Sequence, residues 1–207
     1  GLDVPIYVQY ARWIGDILLH GSLGDSMIKN RPVTELIFGK LAVTVELGLL
    51  AVVFSNIISF PIGIYSAIRQ DSIIDYSGRS IAILFMAVPS FWIATVIMLY
   101  PSIWWKWSPS VDLVPFIEDP VGNLKVFVIP SFILGMAMAG DNMRMTRTMM
   151  LEVLRQDYIR TAYSKGLQER VVILRHALKN AMIPVVTLIG AELPVMIGGA
   201  VIIEQIF

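Results

Sequence analysis

The stretch Leu41–Ile68, LAVTVELGLLAVVFSNIISFPIGIYSAI, decides the fold. It carries a single charge, Glu46, and at about 1.5 Å per residue a helix of this length more than crosses a hydrocarbon layer of about 30 Å. Three further runs repeat the pattern: Ser80–Trp105 has no charge, Val126–Met143 only Asp141, and Ala181–Ile203 only Glu192. Prolines 61, 89, 101, 130, 184 and 194 lie inside or at the mouths of these runs. Membrane helices tolerate proline where neighbours satisfy the freed backbone groups. Kinked spans in a bundle suit transport, and a bundle kinked for packing alone is the alternative.

Composition agrees. Of 207 residues 56% are hydrophobic and 15% charged, with a mean hydropathy of +0.71, whereas soluble domains hold about 45–50% apolar and about 25% charged residues. Sixteen basic residues cancel sixteen acidic ones, which argues against a nucleic-acid binder. With no cysteine, disulfides and thiolate metal sites are excluded, and with His20 and His176 far apart a histidine-built metal centre is not expected. No catalytic, cofactor or metal site is expected.

Loop charge sets the orientation. Segments 69–79 and 144–180 hold two and eight Lys/Arg, against four and two in segments 1–40 and 106–125. The positive-inside rule places the first pair in the cytoplasm. Trp104, Trp105 and Trp107 mark an outer headgroup boundary. The chain is thus expected to be one transmembrane domain, 1–207, with an external segment 1–40. Its spans lie at about 41–68, 80–105, 126–143 and 181–203, with a cytoplasmic loop over 144–180. Residue 1 is Gly and no signal segment precedes the first span, so a further span is expected upstream. Small residues at Gly135/Ala139 and Gly190/Pro194/Gly198 are expected to let helices approach closely.

The loop Glu152–Pro184, EVLRQDYIRTAYSKGLQERVVILRHALKNAMIP, is the most informative segment. Asp157 is expected to N-cap a short helix through Ser164 or Lys165. Gly166 then supplies a left-handed stop, with Leu167 as the apolar residue after it. A second helix, Glu169–Ile183, climbs back with Val172, Ile173, Ala177 and Ala181 at near-helical spacing. On physics alone, a basic surface loop attracted to anionic lipid is the competing reading.

The residues themselves carry a resemblance. Arg160-Thr161-Ala162-Tyr163-Ser164-Lys165-Gly166-Leu167, continued by Arg175 to Pro184, resembles the "EAA" loop of ATP-binding-cassette importer permeases, peptide-importer branch. So do Gly1-Leu2-Asp3-x-Pro5, Tyr7-Val8-Gln9-Tyr10, Arg31-Pro32-Val33, Val88-Pro89-Ser90-Phe91-Trp92 and Gly198-Gly199-Ala200-Val201. Tyr163, Gln168 and Asp141 depart from the usual pattern.

The resemblance implies an all-α polytopic bundle of the type I importer permease fold in a prokaryotic inner membrane. A six-span core would add one helix before Gly1 and one after Phe207. It further implies a second homologous permease as heterodimer partner, two cytoplasmic ATPases and an external solute-binding protein. By the same resemblance the short helix is the coupling helix. Asp157, Tyr158, Arg160, Thr161, Ala162, Lys165, Gly166 and Leu167 are then the ATPase-coupling positions. The solute would be a peptide, with nickel chelates, glutathione or oligosaccharides as alternatives.

No phosphate-binding Gly-x-x-x-x-Gly-Lys-[Ser/Thr] loop occurs in the chain, so ATP falls to a partner. Glu46 and Glu192 are the deepest ionisable groups, and burying a carboxylate in a membrane is costly enough to suggest a role. They are candidates to line the translocation pathway, with helix–helix hydrogen bonds as the alternative. Pro89 and Trp92 join them, with a kink or packing role as the alternative. An ion-gradient transporter would instead show paired intramembrane acids on broken helices. Co-purification with a nucleotide-binding protein separates these classes.

Overall fold

The computed structural model describes residues 4–110 and 112–207; Gly1, Leu2 and Asp3 of the first landmark lie outside the described residues. Among the described residues eight α-helices and one π-helical segment follow in order: α1 Ile6–His20, α2 Val33–Ile68, α3 Ile73–Ala87, α4 Ser90–Trp105, α5 Pro120–Leu154, α6 Asp157–Ser164, α7 Glu169–Val171, the π segment Val172–Ala177 and α8 Leu178–Ile206. The described residues contain no strand beyond an isolated bridge between Asp25 and Pro32. The described residues are all-α, as the apolar runs and the resemblance together lead one to expect.

Three helices among the described residues are long and apolar enough to cross a membrane: α2, α5 and the run 169–206. A fourth span arises if α3 and α4 are taken together, but they are bent by 85°. The apolar run 80–105 is therefore not one straight helix. Proline disfavours helical geometry in the residue before it, and Val88 is extended at φ −92°, ψ 119°. The Val88 amide closes α3 on the Leu84 carbonyl, and the Pro89 carbonyl accepts the first amides of α4 from Trp92 and Ile93. Pro61, Pro101, Pro130, Pro184 and Pro194 all stay inside their helices.

Helix ends also depart from the hydropathy edges. The expected span 126–143 is the middle of α5, which starts at Pro120 and continues to Leu154. Its start is locally encoded. Asp119 accepts the Val121 and Gly122 amides at 3.1 and 3.0 Å, and Pro120 supplies a first helical residue that has no amide to lose. At the other end Arg144 and Arg147 change the polarity of the surface but not the backbone.

Two compact units make up the chain, 1–46 and 47–207. In the first, α1 buries none of its residues and ends on Gly21 in the left-handed conformation at φ 62°. In the second, α5 packs against α8, α3 and α4. Lipid tails are as apolar as leucine, so close backbone approach, rather than hydrophobicity, holds such helices together. A Cβ built on Gly135 would stand 2.6 Å from the Ala51 carbonyl, and one on Gly140 would stand 2.8 Å from the Ala82 carbonyl. Glycine is required at both. A Cβ on Gly190 or Gly198 would meet nothing within 4 Å, so that pair does not make the close helix contact within this chain that its spacing suggests.

Candidate functional site

The loop after α5 is built as a short surface helix seated on a core of its own. In α6, Ile159 and Ala162 are buried, three residues apart. They join Ala67 of α2, Met150 of α5, Val172, Ile173 and Ala177 of the π segment and Ala181 of α8 in one apolar cluster. The opposite face is polar and open: the Asp157 and Arg160 side chains are 96% and 79% exposed. Their ion pair, at 3.5 Å, contributes little at such exposure.

Asp157 is not the N-cap. Gln156 takes that position in an extended conformation without a side-chain cap, and its carbonyl accepts the Ile159 and Arg160 amides. Asp157 sits instead in the first turn, where a carboxylate faces the positive end of the helix dipole. The stop is as the sequence indicates. Gly166 has φ 76°; its amide bonds the Tyr163 carbonyl at 2.9 Å and the Leu167 amide bonds the Ala162 carbonyl at 3.4 Å. That is the paired pattern of a Schellman stop.

Beyond the joint the chain enters a helix continuous from Glu169 to Ile206, containing the π segment that the periodicity did not reveal. Single π turns inside α-helices occur frequently at functional sites. Tyr158 ties the two helices together: Asn180 Nδ2 donates to its hydroxyl at 2.8 Å, and the hydroxyl donates to the His176 carbonyl at 3.4 Å.

The eight positions expected to couple to an ATPase thus divide by what they touch. Asp157, Arg160, Thr161 and Lys165 face outward. Ala162 faces the protein's own core, Tyr158 spans to the next helix, and Gly166 with Leu167 forms the joint.

A second polar contact lies beneath this loop, unsignalled by local sequence. Arg147 of α5 grips Asp75 of α3 with two bonds, Nε to Oδ1 at 2.6 Å and Nη2 to Oδ2 at 2.7 Å. Asp75 is fully buried and also accepts the Asp71 amide at 3.0 Å. A forked arginine–carboxylate pair of this kind fixes orientation as well as energy. Asp141 has Arg144 at 4.0 Å instead.

Deeper in the second unit, Asn142 of α5 donates to Ser55 of α2 at 3.1 Å and to Glu192 of α8 at 3.4 Å. Glu192 therefore makes the interhelical hydrogen bond considered above. Pro89 occupies the α3–α4 elbow, and Trp92 follows it with 55% of its surface exposed. Glu46 is half-buried in α2.

The family described as binding-protein-dependent transport system inner membrane component matches residues 59–207. Over its whole length the chain is 42% identical to a putative peptide transport system permease protein of Brucella suis. It is 38% identical to the oligopeptide transport system permease protein AppB of Bacillus subtilis and 34% identical to the dipeptide transport system permease protein DppB of Escherichia coli K12. The chain spans 66%, 66% and 68% of the lengths of these three relatives. A crystal structure of an amino acid ABC transporter shares the fold at a TM-score of 0.57 and 17% identity, covering 84% of this chain and 72% of that one.

Proposed function

This chain belongs to the family of binding-protein-dependent transport system inner membrane components, and we propose that it is one of two permease subunits of an ATP-driven peptide importer. The observation that carries this reading is full-length similarity to permeases named for peptide, oligopeptide and dipeptide transport. The second permease lines the pathway with it, an external binding protein delivers the peptide, and two cytoplasmic ATPases bind and hydrolyse the nucleotide.

The geometry of α6 supports a mechanical role. Its outward face, with Asp157, Arg160, Thr161 and Lys165, docks into the ATPase. Its inward face, Ile159 and Ala162, packs against the ends of α2 and α5, so displacement of α6 is resisted unless those ends follow. The Tyr158–Asn180 bond and the Gly166 joint deliver the motion to the helix 169–206. ATPase closure thereby biases a rigid-body switch between outward and inward access. Glu46, Glu192, Pro89 and Trp92 remain our candidate pathway positions.

Two outcomes test this. Arg160→Glu reverses an outward charge without touching the α6 core, and is expected to cut co-purification of the ATPases at least about tenfold, equivalent to about 1.4 kcal/mol. Membrane abundance should stay unchanged. Peptide uptake into vesicles driven by an ion gradient without ATP would overturn the reading. For orientation, single cysteines at Ser77 and Ser164, both exposed, are expected to resist an impermeant thiol reagent added outside the cell. Rapid labelling of both would reverse the topology.

A further inference from the structure

A groove of about 660 Å³ opens between the C-terminal end of α2 and the start of the 169–206 helix. Phe60, Ile64 and Ile68 line one wall and Ile173 and Leu174 the other. Phe60, Ile64 and Ile68 are spaced four apart, so they share one helix face over about 12 Å. The rim is charged: Arg69, the first residue after α2, and Arg170 of α7 stand there with Glu169. Neither guanidinium has a side-chain hydrogen bond or ion pair among the described residues.

We propose that this groove holds one anionic membrane phospholipid, its acyl chain against Phe60, Ile64 and Leu174 and its phosphate at Arg69 and Arg170. Depth supports this occupant. Arg69 directly follows the apolar run, and Tyr65, 60% exposed one turn deeper, is an aromatic at headgroup level. Charge supports it as well: two arginines and one glutamate leave a single positive charge in excess, the complement of one phosphodiester. Basic pockets between helices on the cytoplasmic side recognise headgroups in this way. A free phosphate would leave the apolar walls uncovered, and a peptide would find no strand edge among the described residues to pair with. The inference does not depend on which solute the importer carries.

The test uses the chain together with whatever subunits co-purify, placed in bilayer discs of equal phosphatidylglycerol and phosphatidylcholine. After gentle re-extraction the retained lipid is counted by native mass spectrometry. The parent is expected to retain phosphatidylglycerol in preference. At about fivefold per arginine near the surface, Arg69→Gln with Arg170→Gln should lower that preference roughly twenty-five-fold. Leu174→Trp keeps both arginines but narrows the groove where the acyl chain would lie, and should lower retention of the lipid severalfold. All three positions are exposed, so an unchanged elution profile is expected and verifies the fold. Equal retention of both lipids by the parent, or undiminished phosphatidylglycerol in the double variant, would overturn the assignment. So would cross-linking of a cysteine at Leu174 to a second subunit, which would make the groove a protein interface.

Discussion

Asp75→Ala is expected to destabilise the membrane-inserted protein by about 3 kcal/mol, the lower end of the cost of orphaning one partner of a buried ion pair. The deletion leaves the Arg147 guanidinium, 18% exposed on its side chain, without its two charge-assisted bonds. The Asp71 amide loses its acceptor too. For a domain of this size that corresponds to a fall of about 6–12 °C in melting temperature, measured by thermal scanning in detergent. Asp75→Leu combined with Arg147→Met removes both charges, and should recover most of the loss because replacing a whole buried pair is often neutral. A single variant that melts with the parent would show that the pair does not hold α3 to α5.

Gly166→Val is expected to leave membrane abundance almost unchanged and to lower the melting temperature by only a few degrees, while reducing peptide uptake per ATP hydrolysed by about tenfold. A Cβ at Gly166 would meet nothing within 4 Å, so no collision is involved. The penalty is conformational: φ 76° costs an ordinary residue about 1–2 kcal/mol and a β-branched one more. The backbone can relieve that strain only by reopening the Schellman stop, which separates α6 from the helix it should drive. Gly166→Asn, which tolerates the left-handed region better, should retain most of the coupling. Uptake and ATPase activity of the assembled importer in vesicles, normalised to membrane abundance, decide it. Parental coupling in Gly166→Val would move the joint elsewhere.

What the sequence made legible was local or periodic. The apolar runs announce membrane helices and Gly166-Leu167 announces a helix stop, whereas the hydropathy edge at Val126 passed over the start at Asp119-Pro120. Each is decided within a few residues. The Val88-Pro89 elbow was half legible: the proline is visible, but the same residue type at five other places leaves its helix intact, so identity alone does not say which one breaks. Capping by Gln156 rather than Asp157 turns on a single backbone conformation next door. The end of α5 was misplaced because hydropathy reports where lipid ends, and a helix emerging into water need not stop there. The grip of Arg147 on Asp75 joins residues 72 positions apart, and no spacing rule reaches that far. The same holds for Asn142, Ser55 and Glu192, whose meeting depends on three helices arriving together.

The π segment has a bearing on how related chains are lined up. A π turn stores one more residue than the α-helical path it replaces, while the helix faces before and after keep their aim. A chain one residue shorter between Val172 and Ala177 can therefore run as plain α-helix and present the same faces to the same neighbours. One residue added where no such slack exists would swing everything downstream, Glu192 included, by about 100°. Across this stretch structural equivalence follows azimuth rather than residue count, and a gap placed here by alignment marks a change of winding rather than a loss of contact.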